Sequence, residues 1–180
     1  MQNKKSNRLW KTGTCTLKRL REKIKKAKTE SKGIEKIEIL NFLKCSPSFI
    51  GCYAENEMHS LTLQSFPVYL IVNIDKSNMP GSHWIALGIF KDKIEIFDTL
   101  GFQIFNWSRI PCFLLQFLHK FSQTRDIIIL KRIQSDNSSL CGYYCILYVT
   151  SREFHSFEQL QSLFSSNYPD NDSVLIKFFK

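Results

Sequence analysis

No apolar run in the 180 residues approaches the eighteen or so needed to cross a bilayer, and the N-terminus has no secretory apolar core. A soluble, intracellular, non-secreted protein without a membrane partner is therefore expected. Six cysteines, at 15, 45, 52, 112, 141 and 145, include no CxxC pair, and His59, His83, His119 and His155 do not fall at zinc-ligand intervals. No metal is expected on that spacing, and the thiols read as free in a reducing compartment. Internal repeats and low-complexity segments are also lacking. What remains, 43% hydrophobic with 15 Phe, is enough apolar material for one domain with a sizeable core.

Excess charge is lacking too, once residue 32 is passed. Residues 1–32 hold twelve Lys and Arg against Glu22 and Glu30, whereas residues 33–180 hold 13 basic and 14 acidic side chains. The chain thus divides into a basic arm, 1–32, and a near-neutral domain, 33–180. With few apolar residues beyond Leu9, Trp10, Leu17, Leu20 and Ile24, the arm is expected to be disordered or a nascent helix from about Thr16 to Thr29. Lys18, Arg19, Arg21, Lys23, Lys25, Lys26 and Lys28 are candidate phosphate contacts. A solvated or localisation tail would have the same composition.

In the domain, Ile34 to Lys44 reads as a short amphipathic helix, and Ser60 as the cap of another through Gln64. Pro67 to Ile74 is nearly all apolar and β-branched, which predicts a central strand. Ile110, Phe113, Leu114, Phe117, Leu118 and Phe121, following Trp107, recur at helical spacing with Pro111 in the first turn. Ile127 to Leu130 predicts a further strand, and helices are expected over Ser156 to Phe164 and Asp172 to Phe179. Cys45, Cys52 and Cys112 are read as core, and His59, His119 and His155 as surface or satisfied residues.

The stretch with the most chemical content is Gln134 to Cys145, QSDNSSLCGYYC. Its polar, turn-rich part ends at Cys141-Gly142, and the apolar residues beyond predict a buried helix with Cys141 at its start. A helix N-terminus favours an anion, so a thiol there ionises more readily and becomes a nucleophile. The plainer alternative is one more buried cysteine. Cys145, one turn further on, is expected to pack behind it. Upstream, Pro80-Gly81-Ser82-His83-Trp84 leads into one strand, and KIEIFDTLG carries Asp98 at the end of another, so a hairpin through Lys91-Asp92-Lys93 would bring His83 and Asp98 to the same end. A carboxylate beside an imidazole fixes its tautomer, and the imidazole can then exchange a proton with a nearby thiol. Trp84 can wall a narrow groove or be plain core, and Gly142 is a second groove candidate.

His83-Trp84, then Phe97-Asp98-Thr99-Leu100-Gly101, then Gln134 seven residues before Cys141-Gly142, resemble the adenovirus protease (adenain) family and its relatives in Maverick/Polinton transposons and adintoviruses. The SUMO-deconjugating proteases share the His, Asp, Gln, Cys order more distantly. Lys44 to Tyr53 also resembles the stretch near the adenovirus enzyme's N-terminus. The resemblance implies an α+β fold, a mixed central sheet flanked by helices with the nucleophile at a helix N-terminus. It implies a cysteine endopeptidase with His83, Asp98 and Cys141 as catalytic residues, and with Gln134 and the Cys141 backbone amide as the oxyanion hole. It further implies viral or transposon precursor (capsid or core) proteins as substrates, cut at glycine-containing sites, in the host nucleus or the virion. DNA is implied as an activator, although the chemistry itself needs no cofactor. Two departures stand out. Asp98 replaces the adenovirus enzyme's Glu, as in the SUMO proteases. No cysteine lies between Phe113 and Leu140, where the adenovirus enzyme bonds an activating peptide, so a covalent peptide cofactor is not expected. A monomer is expected. A ubiquitin-like-protein deconjugase or acetyltransferase of the same fold, and a non-enzymatic nucleic-acid packaging protein, are the alternatives.

Overall fold

The computed structural model describes residues 14–101 and 110–179. Strands β1 (Phe49–Ala54), β2 (Val68–Asn73), β3 (Trp84–Ile89), β4 (Lys93–Phe97) and β5 (Asp126–Ile129) form one sheet in that spatial order. Its two outer pairings are parallel and its two inner ones antiparallel, so the sheet is mixed as expected. Around it lie α1 (Thr14–Glu30), α2 (Lys36–Leu43), α3 (Cys112–Ser122), α4 (Cys141–Ser151), α5 (Phe157–Gln161) and α6 (Tyr168–Phe178). The fold is α+β.

The sheet separates two apolar layers, and side-chain alternation along the strands decides which residue joins which. Val68, Leu70 and Val72 of β2 share one layer with Met58, Leu114, Phe117 and Leu118, whereas Tyr69 and Ile71 face the layer formed by α1, α2, α4, α5 and α6. Helix α4 sits at the centre of that second layer and is buried at every residue except Thr150. A helix apolar all round has no solvent face to present, which is why its sequence shows no helical period. Its far end is pinned to the sheet. Glu95 of β4, fully buried, receives both arms of the Arg152 guanidinium at 2.7 and 2.9 Å and the Tyr148 hydroxyl at 2.9 Å.

Several expectations are corrected. Residues 14–30 form a helix, close to the Thr16 to Thr29 expected as one alternative, but it is packed and not solvated: Leu20, Ile24 and Ala27 of α1 are buried in the helical layer, and Lys23 pairs with Glu38 of α2. Three apolar side chains at helical spacing suffice when the domain supplies the other half of the core. The boundary at residue 32 therefore cuts through one packed layer. Residues 1–13 and Trp107 lie outside the described residues. Ser60 ends a 3-10 helix, Glu55–Ser60, instead of starting an α-helix, because its hydroxyl donates to the Glu57 carbonyl at 3.0 Å. Helix α6 begins four residues before the expected Asp172, with Pro169 in its first turn. Cys52 is core, but Cys45 and Cys112 are exposed, one in the turn after α2 and the other on the first residue of α3.

Candidate active site

The β3–β4 hairpin does what its sequence implies. With Ala86 opposite Phe97, the entry to β3 and the exit from β4 lie side by side, and His83 Nε2 meets Asp98 Oδ1 at 2.7 Å. Both residues are 8% exposed. Asp98 Oδ1 also accepts the Leu100 amide at 3.0 Å, which fixes the carboxylate from the turn side. With Nε2 engaged, Nδ1 is the nitrogen left for a thiol, and His83 and Cys141 line the same cavity. Burial works against charge on the imidazole. The hydrogen bond to Asp98, with Cys141 and the Asp98 charge close by, outweighs it and raises the His83 pKa to about 9.

Cys141 is the first residue of α4, and it is buried. Leu140 precedes it without a side-chain cap, and the Leu140 carbonyl takes the amides of Tyr143 and Tyr144 at 3.0 Å each. Among the described residues no acceptor meets the amides of Cys141 and Gly142. The hydroxyls that could have capped the helix are turned elsewhere, Ser138 toward Asp172 and Ser139 to the Ala27 carbonyl. An uncapped N-terminus beside a thiol is a ready anion site.

Gln134 is brought to the same place. The Thr99 carbonyl accepts the amides of Ile133 and Gln134 at 2.9 Å each, and the buried Thr99 hydroxyl donates to Gln134 Oε1. The Ser138 carbonyl fixes the amide orientation, since it can only accept and so must face Nε2. Gln134 Nε2 gives one hydrogen to the Ser138 carbonyl, which leaves the other. His83, Trp84, Gln134 and Cys141 all line one open cavity of about 800 Å³, bounded by Ser31 to Ile37 on one side and by Asn73 to Ser82 on the other.

The remaining candidates divide. Trp84 does wall the cavity, and its Nε1 donates to the Ile34 carbonyl at 3.1 Å. Gly142 does not line it. A Cβ there would lie 2.3 Å from an Ile34 methyl and 3.0 Å from the Trp84 ring, so glycine is needed for α4 to approach α2 and β3. Cys145 is fully buried behind Cys141, its thiol donating to the Trp84 carbonyl at 3.5 Å, and burial holds its pKa well above the ordinary value. Of the basic candidates, Lys23, Lys25 and Lys26 pair with Glu38, Glu22 and Glu30. Lys18, Arg19 and Lys28 are exposed with no acidic partner among the described residues, and Arg21 is half-buried. Among the described residues no group of three or more His, Cys, Asp or Glu is placed to hold a metal ion. No helix there is long and apolar enough to cross a membrane.

Sequence reasoning missed Thr99, Asn171 and Asp172. Thr99 stood inside the FDTLG run, but nothing local marks a hydroxyl that acts on a residue 35 positions away.

The chemistry available to this set is nucleophilic attack by a thiol, with an imidazole to manage its proton. Comparison with known proteins agrees in kind. The family model for adenovirus endoprotease matches residues 49–168. Among solved structures, the selenomethionine crystal structure of the ASFV pS273R protease is similar at 22% identity and a TM-score of 0.40, over 62% of this chain. This chain spans 42% of that protein's length. Comparison with curated proteins gave no match. With two thirds of its length matched by that model, the chain belongs to the adenovirus endoprotease family, a family of cysteine proteases.

Proposed function

We propose that this protein is a cysteine endopeptidase that uses Cys141, His83 and Asp98 to cut precursor proteins of a virus or transposon at glycine-containing sites, in the host nucleus or the virion. The observation that carries the reading is the His83 imidazole, bonded to the Asp98 carboxylate at 2.7 Å on one nitrogen and lining one cavity with Cys141 and Gln134. The thiolate of Cys141 adds to the scissile carbonyl. The carbonyl oxygen, now anionic, sits toward the Cys141 amide and the second Nε2 hydrogen of Gln134. His83, already protonated, gives its proton to the departing amine, and the neutral imidazole then takes one from water as the thioester is hydrolysed. Asp98 holds the ring orientation throughout. DNA is proposed as an activator bound by the basic face of α1, where Lys18, Arg19 and Lys28 are available.

The test is labelling by a peptidyl electrophile with the modified residue mapped, alongside cleavage kinetics of a glycine-containing peptide. Cys141 should react fastest near pH 7, ahead of the exposed Cys45 and Cys112 and far ahead of Cys52, whose pKa burial pushes up to about 12. Asp98→Asn should keep the fold. A hydrogen bond to a charged acceptor is worth about 1.5–3 kcal/mol against about 1 for a neutral one, so that variant should lose about tenfold in kcat. Equal labelling of the exposed thiols, or cleavage by Cys141→Ala, would sink the reading. Capture by a glycine-ended ubiquitin-like probe in preference to the peptide would redirect it to a deconjugase.

A further inference from the structure

Gln134 can serve an oxyanion only if the segment from Ile133 to Ser138 is held still, and that segment is loop, with few strand or helix hydrogen bonds of its own. One side is fixed by Thr99. The other is fixed by α6, through two adjacent side chains that the fold otherwise has no reason to bury. Asn171, 1% exposed, donates from Nδ2 to the Ile133 carbonyl at 2.8 Å and to the Ser165 carbonyl at 2.9 Å, while its Oδ1 accepts the Ser165 amide at 2.9 Å. Both of its donors and one of its two acceptor sites are thus engaged between two loops. Asp172, 5% exposed, accepts the Tyr144 hydroxyl at 2.9 Å and lies 3.4 Å from the Ser138 hydroxyl through both carboxylate oxygens. Ser138 is the same residue whose carbonyl accepts from Gln134 Nε2. The two side chains thus grip the loop on either flank of Gln134, and Tyr144 ties the grip to the helix that carries Cys141.

We infer that Asn171 and Asp172 are positioning residues for the oxyanion donor: α6 sets where the Gln134 amide points. The inference rests on the reading of Gln134 as that donor. A buried amide or carboxylate costs free energy unless its partners are met, so such groups also stabilise the fold, and the two roles need separating.

The experiment compares Gln134→Ala, Asn171→Ala, Asp172→Asn and Tyr144→Phe, which removes the Asp172 bond to α4 and leaves the Asn171 bonds in place. Each is assayed for kcat and KM on a peptide. Each is also assayed for affinity toward a peptide aldehyde, whose carbonyl oxygen becomes the oxyanion when the thiolate adds, and for alkylation of Cys141 by iodoacetamide, which displaces iodide and forms no oxyanion. Loss of an oxyanion donor costs about a hundred- to a thousandfold in kcat, and Gln134→Ala should approach that. Asn171→Ala and Asp172→Asn should lose at least about tenfold in kcat and in aldehyde affinity, with KM and the alkylation rate unchanged, and Tyr144→Phe should move the same two readouts by less. If Gln134→Ala is as active as the parent, the donor assignment fails and the inference with it. If Gln134→Ala is impaired while both α6 variants keep parental kcat and aldehyde affinity, the inference alone is overturned. Should Asn171→Ala fail to fold, Asp172→Asn decides the matter, since it preserves size and can still accept from Tyr144.

Discussion

The Ser139 hydroxyl, two residues before the nucleophile, donates to the backbone carbonyl of Ala27 at 3.3 Å. A basic helix that charge alone would assign to a dispensable tail is thereby tied to the loop leading into Cys141. Ile34, just beyond that helix, completes the tie by packing its methyl against Gly142 and accepting the Trp84 indole at its carbonyl.

Removal of residues 1–32 should therefore destabilise the protein. Leu20 and Ile24 are 2% and 0% exposed, and fully burying such a side chain is worth about 1.5–3 kcal/mol each. The truncated protein should unfold at markedly lower denaturant and lose cleavage even of a small peptide. Ile24→Asp in the full chain should reproduce the effect. Parental stability and turnover after truncation would show that α1 contributes nothing to the site.

Charge on α1 is to be tested without touching its buried face. Replacing Lys18, Arg19 and Lys28 with Ala should weaken duplex DNA binding and flatten its salt dependence by roughly 0.9 in log–log slope for each phosphate no longer neutralised. Lys23→Ala should do less, because Glu38 already neutralises that residue. A DNA titration at several salt concentrations reads both, and an unchanged slope in the triple variant would place any DNA site elsewhere.

The His83 imidazole offers a pH signature with a definite sign. Its folded pKa, about 9, exceeds the ordinary 6.5, so the stability it contributes is fully present below about pH 6.5 and is lost as pH rises toward 9. Cleavage should fall over the upper part of that range, as the acid that protonates the leaving amine is lost. In Cys141→Ala two of the causes that raise the pKa vanish, and NMR titration of the ring should find its midpoint lowered. The same midpoint in both proteins would mean that thiol and imidazole do not interact.

The parts of this fold that were legible in sequence are those governed by local pattern. β2 announced itself by five consecutive buried apolar residues, and the His83–Asp98 pairing followed from a hairpin with a short turn. Glu95 between Ile94 and Ile96 has no local mark of burial; the Arg152 guanidinium makes its inward face possible. Local pattern also misses what long-range bonds do. Thr99 and Asn171 look like ordinary turn and helix residues until the chain is folded, and the tie from α1 to Ser139 spans 112 residues.

The clamp on the Gln134 loop also has a consequence in time. Asn171 follows Ile133 by 38 residues, so a growing chain that already contains His83, Asp98, Gln134 and Cys141 still lacks one side of the frame around its oxyanion donor. Every residue of the proposed chemistry is made before the enzyme is competent. Synthesis order thus places the proposed nucleophile ahead of the frame around its oxyanion donor, and on the inference above a chain carrying all four residues reaches its full rate only once α6 has docked.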